Sequence, residues 1–181
     1  KVESISDDSM RITLEPFERG FGHTLGFALR RILLSSMLGF AIIKVHIDGV
    51  AHQYDTIGGI QEDVLEMLMN IKSIALKSDQ PEPINLSLEV TGPATVTGKD
   101  IVVEGNKAEI VNPDHVICHI NTERTLRMTM VAEHGKGYTS ANDISNRDGA
   151  DQEVGALYLD ASFSPISRVV YHVENARVEN R

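Results

Sequence analysis

Residues 24–38 read Thr-Leu-Gly-Phe-Ala-Leu-Arg-Arg-Ile-Leu-Leu-Ser-Ser-Met-Leu, a helical stretch that is apolar nearly all the way round. Leu25, Ala28, Leu29, Ile32, Leu33 and Ser36 line one side of it, and Phe21 just upstream extends that side. Phe27, Arg31, Leu34 and Leu38 line another, with Arg30 between the two. A helix without a polar face has to be covered on every side. The chain has 181 residues, which at roughly 150 per domain makes one compact domain or two small ones. One small sheet covers only one face of such a helix. The remaining apolar surface then needs a second copy or a different protein. The alternative is a central core helix whose Arg30 and Arg31 reach solvent along their aliphatic stems. Gly26 costs about 1 kcal/mol against Ala inside a helix, and it permits another backbone to come close.

Most of the remaining sequence alternates with period two and reads as β. Ile84-Asn-Leu-Ser-Leu-Glu-Val90 puts Ile84, Leu86, Leu88 and Val90 on one side. Leu126 to Met130 repeats the pattern, and Met10, Ile12 and Leu14 share a face before Pro16. Ile42–Asp48, Val102–Val103, Glu109–Val111, Val116–Ile120, Leu157–Phe163 and Arg168–Val173 are further expected strands. Gly58–Lys72 breaks the alternation: Ile60, Val64, Met67, Leu68 and Ile71 form one amphipathic stripe. Glu62 and Asp63 stand in its expected first turn and Lys72 in its last, as the helix dipole favours. Lys77–Pro83 and Ser140–Gln152 carry the composition of exposed loops.

Composition removes several functions. Seventeen Lys and Arg against 26 Asp and Glu give a formal charge of −9, which opposes broad phosphate binding. One cysteine, Cys118, makes no disulfide within the chain and fits a reducing, cytoplasmic setting. No apolar run reaches the length of about 18 residues that a spanning helix needs, so no membrane is expected. The start, Lys1-Val-Glu-Ser, has neither an initiator Met nor the plan of a signal peptide, which suggests a processed piece.

Catalytic and cofactor motifs fail on spacing. Gly92 to Lys99 has five residues between its glycines where a phosphate loop has four, and Asp100 replaces the Mg²⁺-binding hydroxyl. Gly20-Phe-Gly22-His-Thr-Leu-Gly26 places its last glycine one position late for a dinucleotide fingerprint. His115-Val-Ile-Cys118-His119 has metal-like spacing. On a strand, however, His115 and Cys118 point to opposite faces. No catalytic residue, metal ligand or cofactor is nominated. A small cytosolic enzyme or metal-binding domain with a site near His115 and His119 is the alternative reading.

A run of blocks carries a family resemblance. Leu14-Glu-Pro-Phe-Glu-Arg-Gly-Phe-Gly-His-Thr-Leu-Gly26 followed by Ala28-Leu-Arg-Arg-Ile-Leu-Leu-Ser-Ser-Met37 resembles the amino-terminal domain of the bacterial RNA polymerase alpha subunit. So do Ile47–Val50, His52–Tyr54, Glu62-Asp63, Asn70–Lys72, His115–His119, Gly135–Tyr138, Asp160–Pro165, Arg168–Tyr171, Val173-Glu174 and Arg177–Glu179, in the family's order.

The resemblance implies an α+β fold in two subdomains. A dimerisation subdomain, a sheet with a long interface helix, would comprise 1–38 and 165–181; a mostly β subdomain, 39–164, would be inserted in it. It implies a non-catalytic assembly subunit that pairs with a second alpha, identical or paralogous, and scaffolds the beta and beta-prime subunits, which hold the active site. Phe21, Leu25, Ala28, Leu29, Ile32 and Ser36 would meet the second alpha. Arg30, Arg31, Leu34, Leu38, Asp48 and Glu62 would meet a large subunit, with Arg31 suited to paired hydrogen bonds at a partly desolvated site. The family continues past this length into a terminal helix, a linker and a DNA-binding domain, so no direct DNA contact is expected from this stretch. Phe27, Leu38, Phe40 and Ser140 depart from the residues usual in the family.

Overall fold

The computed structural model describes residues 1–149 and 154–175. The chain divides into two compact units, Lys1–Leu34 with Ile166–Arg181, and Ser35–Pro165. The expected block Arg177–Glu179 and the end of the expected loop at Gln152 lie outside the described residues.

In the first unit, β1 (Val2–Ser6) and β2 (Ser9–Ile12) pair as an antiparallel hairpin with Val2 opposite Ile12 and Ser4 opposite Met10. The helix α1 (Phe21–Ser35) follows Gly20, whose φ of +89° suits glycine. Residues 166–175 have no regular secondary structure, so the strand expected over Arg168–Val173 does not form. Its apolar side chains lie against the helix instead. A Cβ at Gly26 would fall 2.5 Å from Tyr171 Cδ2, and one at Gly22 would fall 3.0 Å from Val173 Cγ1. The close approach that Gly26 permits is therefore used within the chain.

The second unit is α+β. Its main sheet runs in the order β7 (Ile101–Val103), β5 (Ile84–Thr91), β10 (Thr125–Lys136), β3 (Leu38–Ile47), β4 (Leu76–Lys77), β8 (Glu109–Ile110). A further strand, β12 (Leu157–Tyr158), also pairs with β3, and all these pairings are antiparallel. The strands β6 (Ala94–Thr97) and β9 (Val116–Ile120) form a separate pair, as do β11 (Tyr138–Thr139) and β13 (Ala161–Ser162). The helix α2 (Val64–Lys72) buries Val64, Met67, Leu68 and Ile71 in the main core with Ile84, Leu86, Leu88, Met128 and Met130.

Two corrections concern helices. The stripe over Gly58–Lys72 is helical only from Val64, because Gly59 has φ +88° and Asp63 caps the helix, its Oδ1 accepting from Glu66 N–H at 2.7 Å. Ile60 bridges to Ile120 instead of joining the helix. The loop expected over Ser140–Gln152 contains α3 (Ala141–Asp148), capped by Ser140, whose Oγ accepts from Asp143 N–H at 3.2 Å. Its one buried side chain, Ile144, enters a second small cluster with Ile43, Ala161 and Phe163.

A β-bulge explains how one strand serves both clusters. Val131 pairs with Lys44 and Ala132 with Ile42, which leaves Ile43 as the extra residue of β3. The side-chain alternation therefore changes phase. Phe40 and Ile42 face the main core before the bulge, Val45 and Ile47 face it after, and Ile43 turns to the other side.

Candidate assembly interface

The first unit contains no buried side chain among its described residues: every position in 1–34 and 166–175 is exposed or half-buried. This holds although α1 is rich in apolar residues. Phe27 is 63% exposed, Ile32 51% and Phe21 50%, and Ala28 and Leu29 are also exposed. Leu25, Leu33 and Leu34 are half-buried. Arg30 and Arg31 stand on the exposed surface of the same helix. The hairpin adds Val2, Ile5, Met10, Ile12 and Leu14, all exposed, and the linking segment adds Phe17, whose ring lies 5.5 Å from that of Phe21. Soluble proteins leave single apolar side chains bare, but a large exposed apolar area marks an interaction surface. A helix of about 22 Å and a lone two-stranded hairpin are marginal in water without further covering.

Two of the expected contact residues lie beyond the end of the helix at Ser35. Ser36 is in the following turn, and Leu38 is the first residue of β3, paired with Lys136. The ladder with β10 claims Leu38, so it cannot continue the Arg31 and Leu34 face. The sheet entry is tight: a Cβ at Gly39 would overlap the Phe163 carbonyl oxygen.

In the second unit the expected contact residues Asp48 and Glu62 part company. Asp48 is exposed, with its carboxylate 4.0 Å from His46 Nε2 and its N–H donating to Arg127 C=O at 3.1 Å. Glu62 is only 8% exposed and has little surface to offer a partner. Its Oε2 accepts from His119 N–H at 2.7 Å and its Oε1 lies 2.6 Å from His119 Nδ1. Burial pushes the Glu62 carboxyl up. The hydrogen bonds from the His119 ring and N–H and from its own N–H outweigh burial and hold it below its ordinary value. Gln61 N–H to His119 C=O at 3.0 Å and Asn121 N–H to Gly59 C=O at 2.8 Å lay the same segment along β9. Glu62 thus clamps β9 from within the second unit.

The residues of the metal-like spacing are occupied within the fold. His115 Nε2 lies 3.1 Å from Asn70 C=O, Asn70 donates to Ile117 C=O at 2.9 Å, and His119 is held by Glu62. Cys118 lies in the main core, where burial, and then the Glu62 charge, push its thiol up to about 12. It carries no thiolate at neutral pH and is no nucleophile. Among the described residues, no three His, Cys, Asp or Glu side chains are placed to hold a metal ion, and no helix is long and apolar enough to cross a membrane.

The features above define an α+β protein whose notable surface is an uncovered apolar one. The RNA polymerase Rpb3/RpoA insert domain matches residues 45–164, well over half of the chain, so the protein belongs to that family of RNA polymerase alpha-type subunits. DNA-directed transcription is the process in which the family takes part. The blocks His115–His119 and Asn70–Lys72 acquire a structural meaning from this: they lock α2 onto β9.

Proposed function

We propose that this protein is a non-catalytic assembly subunit of a cytoplasmic DNA-directed RNA polymerase, which pairs with a second alpha chain, identical or paralogous, and scaffolds the beta and beta-prime subunits. The observation that carries the reading is that the first unit has no buried residue among those described, whereas the second has a full core. In this reading 1–38 and 165–181 form the dimerisation subdomain and 39–164 the inserted one. Phe21, Leu25, Ala28, Leu29 and Ile32 of α1 meet the second alpha, with Ser36 at the edge of that contact. Arg30, Arg31 and Leu34, together with Leu38 at the start of β3 and Asp48, serve the large subunits, and the active site belongs to those subunits. Obligate interfaces of this kind bury roughly 2,000 Å² or more in total.

Two substitutions test the reading. Changing Leu25 and Ile32 together to Glu converts the dimer to a monomer by light scattering, because two buried charges oppose pairing. An unchanged mass counts against the interface. Arg31→Ala abolishes co-purification with the beta subunit while alpha pairing persists, and loss of both together refutes separate contact faces on the helix.

A further inference from the structure

The dipeptide Asp-Gly occurs twice in the chain, at Asp48-Gly49 and Asp148-Gly149. It carries a chemistry of its own. The glycine nitrogen can attack the carboxyl carbon of the aspartate before it, because glycine has no Cβ to crowd the approach. A bond forms between that nitrogen and Cγ, an imide ring closes, and the amide hydrogen leaves with a carboxyl oxygen as water. Water then adds to either imide carbonyl. Opening at Cγ restores aspartate. Opening at the main-chain carbonyl leaves the chain running through Cγ, an isoaspartyl link with a free α-carboxylate.

The fold treats the two sites differently. Asp48 is the barer, its side chain 61% exposed against 25% for Asp148. Its backbone is nevertheless fixed on both sides. The Asp48 N–H donates to Arg127 C=O at 3.1 Å, and Val50 N–H to Ile47 C=O at 3.1 Å closes the turn, with Gly49 at φ +80°. The flanking Ile47 and Val50 are buried in the main core. Asp148 is the last residue of α3, and Gly149 follows at φ +53° with its N–H donating to Ser145 C=O. The Tyr158 hydroxyl donates to Asp148 Oδ2 at 3.2 Å, and Arg147 Nε lies 4.0 Å from Oδ1. Helical backbone at Asp148 turns the Gly149 nitrogen away from the carboxyl carbon, so the last turn must open before the ring can close. The helix is anchored by a single buried side chain, Ile144, and an element with so little burial opens locally at small cost.

We infer that Asp148-Gly149 is a site of isoaspartate formation, reached when the last turn of α3 opens, and that Tyr158 guards it. Asp48-Gly49 has the same two residues on a backbone held by the main core, and it stays intact despite its greater exposure. Tyr158 lies on β12, paired with Lys44 of β3, so the guarding hydroxyl is presented by the sheet and not by the element that opens. The isoaspartyl link adds a carbon to the main chain, which breaks the helical spacing between Gly149 N–H and Ser145 C=O. Its free α-carboxylate is the group that a methyltransferase using S-adenosylmethionine can esterify.

The test keeps the whole 181-residue protein in warm neutral buffer for several weeks and sequences its peptides by electron-transfer mass spectrometry, which tells isoaspartate from aspartate. The folded wild type accumulates isoaspartate at position 148 and not at 48, whereas the urea-unfolded chain accumulates it at both at similar rates. Tyr158→Phe, which keeps the ring, speeds accumulation at 148 about fivefold, the factor that one hydrogen bond of ordinary strength supplies, and leaves 48 unchanged. A protein-isoaspartate methyltransferase with labelled S-adenosylmethionine marks the aged wild type, and Asp148→Glu, whose longer side chain closes the ring far less readily, removes the mark. No isoaspartate at 148 in the folded protein, formation at 48 as fast as at 148, or a mark that survives Asp148→Glu overturns the site. An unchanged rate at 148 in Tyr158→Phe overturns the guard, and so does an equal rise at both positions, which a general loosening of the fold would produce.

Discussion

The two units of this chain contain similar kinds of residue and treat them in opposite ways. Among the described residues, every buried apolar side chain lies between Phe40 and Phe163, inside the second unit. The first unit, with Phe17, Phe21, Phe27, Leu29 and Ile32, buries none among its described residues. The contrast is therefore one of covering and not of composition. In the second unit a seven-stranded sheet, α2 and the β6–β9 pair supply enough surface to hide one another. In the first, one hairpin and one helix do not. A stretch with core composition and no core is what the proposed interface rests on.

The largest expected effect separates the units directly. Ile71→Ala, at a fully buried position of α2, lowers unfolding free energy by about 2–5 kcal/mol through lost burial and a cavity. Ile32→Ala, at a half-exposed position of α1, leaves the urea midpoint of dilute protein nearly unchanged and weakens pairing instead. A large midpoint loss for Ile32→Ala would mean that the helix is covered within its own chain. A smaller effect concerns α3: Ser140→Ala removes its cap at a cost of about 1 kcal/mol, read as an earlier melt with the mass unchanged.

The smallest effect is a pH dependence. Glu62 has its carboxyl held below its ordinary value of 4.5 in the folded state, so its contribution to stability is complete above that value. The contribution is lost as pH falls through the depressed folded value. Glu62→Gln is therefore expected to flatten the fall in stability below pH about 4.5 relative to wild type, measured as urea midpoints at a series of pH values. Parallel curves for the two proteins would show that the His119 clamp does not couple to folding.

Residues with one-sided burial were legible in advance. Ile84, Leu86 and Leu88 alternate because β5 has the core on one face only, and the same holds for Leu126, Met128 and Met130. The α1 stripe was legible as apolar without being assignable to a cover. What the sequence hid has physical causes. The change of phase at Ile43 arises from a bulge, which depends on the partner strand β10 and leaves no local mark. The helix α3 has a single buried residue, so it shows no stripe. It is held instead by its Ser140 cap, by Arg147 paired with Glu133 at 2.7 Å and by Tyr158 donating to Asp148 at 3.2 Å. Leu38 looked helical because helix periodicity extends through it, yet pairing with Lys136 takes it into β3. Glu62 looked like a surface carboxylate at a helix start, and only the fold brings His119 to it across 57 positions of sequence.

The account stands or falls on whether another chain shelters α1. Hydrogen–deuterium exchange of the Phe21–Ser35 amides, followed from about 0.1 to 100 µM protein, reads this directly. Protection that rises with concentration over α1, while β5 and β10 stay equally protected throughout, is the predicted result. Strong protection of α1 that is the same at every concentration would contradict it, since the helix would then be shielded without any partner.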